Sequence, residues 1–180
     1  MNIEVRIDGT SPLLQHRFSG EGQPAPKSKV KNRTQTREDV ESYLYKNGTD
    51  EIYQPSTHLI CTMKKPGARF QIPGQGKLTY KNLLGSGVVI VSPDAIPHVN
   101  QEWTTDLRSV IINRARIMRS RPRFEEWALE FLLDIEEDEV PQEVLQEILE
   151  YAGKRVGIGD FRPEKGGSFG RFQITKWEIQ

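Results

Sequence analysis

The sequence predicts an α+β chain, one antiparallel sheet carrying two helices in the order β-α-β-β-α-β. Three observations lead to it. Alternation of apolar and polar residues opens the chain at Asn2 and returns, less strictly, over its last residues. Two stretches of helical spacing follow proline-containing starts, one after Tyr53-Gln54-Pro55 and one at Pro141. Between them lie a β-branched run, VVIVSP, and a pair of alternating segments. At 180 residues the chain is read as one domain, 1–180, long enough for a real core.

In order, Ile3, Val5 and Ile7 alternate with Asn2, Glu4, Arg6 and Asp8, the pattern of a half-buried strand that Gly9-Thr10-Ser11-Pro12 ends. Residues 18–50 are rich in Gly, Pro, Lys, Ser, Thr and Gln and are read as a long, flexible basic insertion. A short helix over Arg37 to Tyr45 is allowed within it by Val40, Tyr43 and Leu44. THLICTMKK, capped by Ser56 or Thr57, places Leu59, Ile60 and Met63 on one side, and Pro66-Gly67 stops the helix. VVIVSP reads as a buried strand. Ser109 to Met118 and Glu126 to Ile135 are expected to pair as a hairpin through a turn at Arg119 to Arg123, which contains Pro122. Pro141 suits the first position of a helix whose stripe is Val144, Leu145, Ile148, Leu149 and Ala152, with Gly153 as its C-cap. A glycine-rich loop over 153–171 leads to a last strand marked by Phe172, Ile174, Trp177 and Ile179, whose imperfect alternation suggests a bulge. With the inserts and one strand set aside, this order is that of a ferredoxin-like or RRM-like sandwich.

The formal net charge is zero, but charge is segregated. Lys27, Lys29, Lys31, Arg33 and Arg37 form one basic run, and Arg108, Arg114, Arg116, Arg119, Arg121 and Arg123 another. From Glu125 to Glu150 every charged residue is acidic. Cys61 is the only cysteine, so no internal disulfide forms and a thiolate-rich zinc site is excluded. His16, His58 and His98 lack metal-ligand spacing, and no cofactor or metal is expected. No apolar run spans a bilayer and the N-terminus is unlike a signal peptide, so a cytoplasmic protein without membrane contact is expected. Gly-Ile-Gly-Asp-Phe-Arg lacks the preceding strand and third glycine of a dinucleotide fingerprint, and no P-loop or serine-hydrolase elbow is present.

The glycine-rich loop interleaves free amides, cations and rings, which suits a nucleic-acid backbone with unstacked bases, or else a solvated helix-to-strand loop. The candidate contacts there are Arg155, Gly157, Gly159, Phe161, Arg162, Lys165, Gly166, Gly167, Phe169, Gly170 and Arg171. Further candidates are Arg114 and Arg116 on the hairpin and Lys29, Lys31 and Arg33 on the insertion. The hairpin arginines either contact phosphates or pair across strands with Glu126, Glu130 and Asp134.

Three blocks resemble the RAMP superfamily of CRISPR-associated proteins. The opening strand with GTSPLL looks like that family's first strand and turn. IYQPSTHLICTMKK is similar to the segment that starts its first helix, although Gln54-Pro55-Ser56-Thr57 stands where the family has Pro-Gly-Ser-Ser. YAGKRVGIGDFRPEKGGSFGRFQI is similar to its C-terminal glycine-rich loop, with DFRPEKGG inserted. Small phage-encoded proteins look similar as well. The resemblance implies an RRM-like fold, binding of single-stranded guide RNA and assembly of subunits along the strand. The leading expectation is therefore a non-enzymatic protein that binds single-stranded RNA or single-stranded DNA and self-associates or joins other subunits. Two alternatives stand beside it. One is an endoribonuclease using His16 or His58, with Tyr53. The other is a protein-binding module or decoy for such complexes.

Overall fold

The computed structural model describes residues 1–17, 36–112 and 115–180. Its main sheet is antiparallel and is built around β1 (Asn2–Gly9), flanked by β8 (Ala128–Ile135) and β9 (Phe172–Ile179), with β4 (Val89–Ser92) outside β8. Ile3, Val5 and Ile7 are fully buried, as the period-two pattern of β1 requires. Val5 stands opposite Phe131 on one side and Trp177 on the other. The predicted bulge is real. Arg6 pairs with Lys176 and Ile7 with Ile174, so Thr175 is the extra residue on β9.

Two helices share the core of this sheet, α2 (Ser56–Gly67) through Leu59 and Met63, and α3 (Gln142–Tyr151) through Leu145, Ile148 and Leu149. The chain thus visits β1, α2, β4, β8, α3 and β9 in turn, an arrangement compatible with a ferredoxin-like fold. The predicted Ser56 or Thr57 cap of α2 is absent. Pro55 precedes the helix with no side-chain cap, and Ser56 Oγ donates instead to Asp94 Oδ1 at 3.2 Å. Helix α1 (Arg37–Glu41) opens on a capping box between Thr36 and Asp39 and buries Val40.

The predicted hairpin is wrong. β6 (Thr104–Ile112) pairs with β7 (Ala115–Phe124), while β8 belongs to the main sheet. Arg119 to Arg123 is strand, not turn. Pro122 is tolerated because it stands just past β2 (Leu13–Leu14), which pairs with β7 at Arg123 and Phe124; there its carbonyl accepts from Gln15 N–H at 3.1 Å and only the reciprocal bond is given up. β7 is the middle strand of a second sheet, β2-β7-β6. A short ribbon of β3 (Tyr53–Pro55) and β5 (Ala95–Pro97) completes the strands. VVIVSP, expected as a buried strand, is an edge strand with Val89 and Val91 buried and Ile90 exposed. Gly153 does not cap α3. The chain continues through a π-turn over Ala152–Val156, and Gly153 sits where a Cβ would lie 2.2 Å from the Phe172 carbonyl oxygen. Among the described residues no helix is long and apolar enough to cross a membrane.

Candidate nucleic-acid interface

The glycine-rich loop is stitched into the fold along its length. Asp160 N–H donates to the Leu14 carbonyl at 2.8 Å, Gly170 N–H to Pro12 at 2.8 Å, and Ile158 N–H to Gly170 at 2.9 Å. Several of its glycines lie close to the protein's own backbone. A Cβ on Gly159 would lie 2.5 Å from the Leu14 oxygen, and one on Gly167 would lie 1.6 Å from that of Phe161. Gly157 is packed against Pro163 and Arg162, whereas Gly166, in a left-handed turn, has open space around it.

The loop's side chains divide into two groups. Phe169 is buried, with the Arg108 guanidinium 4.7 Å and the Arg123 guanidinium 5.7 Å from its ring. Arg162 is held by Glu164 at 2.8 Å and by the Gly159 carbonyl at 3.0 Å. These two build the loop. Arg155, Lys165 and Arg171 are exposed. Phe161 is partly exposed, at a φ of 49°, and stands 6.1 Å from Phe169.

Register places Thr104, Asp106 and Arg108 of β6 opposite Arg123, Arg121 and Arg119 of β7, so these arginines share one face. Arg116 falls on the opposite face by parity, with exposed Met118 and Leu107. The expectation that these arginines pair with Glu126, Glu130 and Asp134 does not describe this face. Arg108 pairs with Asp106 at 2.9 Å, Arg123 with Glu125 at 2.6 Å, and Arg121 with Asp160 at 2.6 Å, which ties the hairpin to the loop. Arg119 stands directly opposite Arg108, two like charges across a ladder. Arg108, Arg119, Arg121 and Arg123 were legible as a basic run. Their i, i+2 spacing would have put three of them on one face had the turn been placed after Ile112. Arg114, and Lys29, Lys31 and Arg33 of the insertion, lie outside the described residues.

The outer face of the main sheet is different. Glu4, Arg6 and Asp8 of β1, Glu130 and Asp134 of β8 and Lys176 and Glu178 of β9 form a lattice, with Arg6–Glu130 at 2.6 Å and Lys176–Glu4 at 2.8 Å. Acids outnumber bases there and no ring is offered for stacking, so this is not the platform on which RRM domains lay bases.

Sequence reading treated the histidines singly, but the fold brings two together. His16 and His58 line one cavity with Gln15, Gln54 and Asp160. Burial, followed by the Arg119 charge, holds His16 below the ordinary imidazole range. His98 is buried against Phe124, at 4.6 Å between rings, and burial pushes it down to about 4. Among the described residues no group of histidine, cysteine and carboxylate side chains has the arrangement of a metal site.

No family model matches the chain, and no curated protein does. Among solved structures the fold is similar to a chain in the cryo-EM structure of the type III-B Cmr-beta bound to cognate target RNA. The TM-score is 0.57 at 12% identity, over 98% of this chain and 59% of that one. This chain thus matches less than two thirds of its neighbour's length. The likeness is one of fold.

Proposed function

We propose that this protein is a ferredoxin-like βαββαβ subunit of the RAMP type that binds single-stranded nucleic acid, RNA in the first place, without cleaving it, and assembles with other subunits. The observation that carries the reading is the arginine face of β6–β7. Arg108 and Arg119 stand opposite each other beside a loop whose Arg155, Lys165 and Arg171 are exposed and form no ion pair among the described residues. Asp106 neutralises Arg108 at 2.9 Å, whereas Arg119 opposite it forms no ion pair among the described residues, and a phosphate of a nucleic-acid backbone would supply one. The acidic outer sheet face directs a strand to this side. The solved neighbour, which belongs to an RNA-bound complex, is consistent with this. Phe161 is the ring available for a base; Lys29, Lys31, Arg33, Arg114 and Arg116 are proposed as additional phosphate contacts.

The test is a titration of labelled single- and double-stranded RNA and DNA at two salt concentrations, with particle size followed by light scattering. Salt-sensitive single-strand binding with growing particles is the expected result. Equal affinity for duplex and single strand, or no binding at low salt, overturns the reading.

A further inference from the structure

The cavity between the end of β2, the first turn of α2 and the glycine-rich loop measures about 310 Å3 and is lined by Gln15, Gln54, His58, Asp160 and Arg162 among others. A chain of hydrogen bonds running along it fixes the chemistry of His58. Tyr45 N–H donates to Gln15 Oε1 at 3.1 Å, and Gln15 Nε2 donates to the Tyr53 carbonyl at 3.0 Å. A backbone amide only donates and a carbonyl only accepts, so the Gln15 amide has one orientation. Its two hydrogens are shared among Tyr53, Gln54 Oε1 at 3.2 Å and His98 Nε2 at 3.2 Å. Turning the Gln54 amide over would set two NH2 groups against each other. Gln54 Nε2 is therefore the atom against His58 Nδ1, and it can only donate. Nδ1 accepts, and the proton of the neutral ring resides on Nε2. Held this way, the ring has Nε2–H as its donor.

Among the described residues the charges around the cavity leave a positive surplus. Asp160 is matched by Arg121 at 2.6 Å, Glu164 is shared by Arg162 at 2.8 Å and Lys65, and the Arg119 charge acts on His16 in the cavity wall. The volume lies at the low end of the roughly 300–1,000 Å3 of small-molecule cavities, room for one nucleotide and not for a run of them. Donors with surplus positive charge suit one acceptor-rich, anionic group. We propose that this cavity takes a single phosphate-bearing nucleotide, His58 donating from Nε2 as a neutral ring and Arg162 supplying the charge. The proposal rests on the nucleic-acid reading above and gives that reading a binding pocket instead of a cleavage site.

The experiment has three arms. Ring 15N spectra of the wild-type protein near pH 7.5 are expected to show His58 as the Nε2–H tautomer. Binding of a labelled single-stranded oligoribonucleotide is measured for wild type, His58→Gln and His58→Ala, with folding followed by circular dichroism. Glutamine keeps a donor near the Nε2 position, so His58→Gln is expected to hold affinity within about twofold, and His58→Ala to lose about tenfold. Uridine 3′-monophosphate competes if the cavity takes a free nucleotide; if it does not compete while the variants still separate, the occupant is an internal nucleotide of the strand. Either result supports the proposal. An Nδ1–H tautomer, equal affinities for all three proteins, or metal-free RNA cleavage lost in His58→Gln overturns it. A wild type that binds no strand overturns the nucleic-acid reading instead, and the ring spectra and the mononucleotide then decide the cavity by themselves.

Discussion

Gly170 gives the sharpest prediction about the loop. Its φ of 69° lies in the left-handed region, and an added Cβ would stand 1.8 Å from the Ile158 carbonyl oxygen. The atom it meets is backbone, so no side chain can swing away. Gly170→Ala therefore pays left-handed strain of about 1 kcal/mol. It must also push the two strands of loop apart, losing the buried bond from Ile158 N–H to the Gly170 carbonyl, which costs a further 1–3 kcal/mol or so. The expected loss is about 3 kcal/mol, a large share of a typical domain's roughly 5–15 kcal/mol. Gly166→Ala is the matched control. Its φ is 78° with nothing within 4 Å of the added atom, so only the strain of about 1 kcal/mol applies. Urea unfolding of both variants, with equal slopes, measures the difference directly. If the two cost the same, or Gly170→Ala costs under about 1 kcal/mol, the packing argument for the loop is refuted.

Other outcomes follow from the same contacts. Arg171→Ala removes an exposed cation and should weaken binding of all sequences alike, with the salt slope reduced by roughly one unit; an unchanged slope removes it from the interface. His98 titrates near 4 when folded against 6.5 when unfolded, so the unfolded state takes up the proton first. Its contribution is complete above pH 6.5 and is lost as pH falls towards 4, about 3 kcal/mol in all, and denaturation curves of His98→Gln should be flatter over that window. Asp160→Asn strands the buried Arg121 guanidinium and should cost about 3 kcal/mol, most of it recovered by adding Arg121→Met; a double variant no better than the single would mean that the pair is not what the buried arginine relies on.

The main sheet was readable because its signal is local. Ile3, Val5 and Ile7, and Leu129, Phe131, Leu133 and Ile135, each carry their face in a two-residue period. The hairpin was misread because Pro122 and its flanking arginines carry the composition of a turn, while the fact that excuses a proline in mid-strand, its place at the end of the short β2 ladder, is written elsewhere in the chain. VVIVSP was legible as a strand from its β-branched run, but that run does not display its edge position, which leaves Ile90 exposed. The glycine cluster was legible from composition, but which glycines serve a turn, as Gly166 does, and which approach Leu14, Ile158 or Phe161 depends on tertiary contacts that no spacing displays. His16 and His58 share a cavity for the same reason. Gln54, which sets the His58 ring, is four residues away and was within reach of a hydrogen-bond argument.

The position of β1 has a consequence for how the chain is made. Its neighbours in the sheet are β8 and β9, more than a hundred residues downstream. Ile3, Val5 and Ile7 are made long before β8 and β9, and β1 cannot be paired in this sheet until those strands have been synthesised. Loop closure over such separations is slow, so until then β1 offers two unpaired edges. The alternating Glu4, Arg6 and Asp8, which end in the ion-pair lattice of the finished sheet, place charge on that strand throughout its wait. Shortening the chain before β9 should therefore leave a product that aggregates through its N-terminus, and neutralising those charges in the full chain should lower soluble yield more than it lowers the stability of what folds.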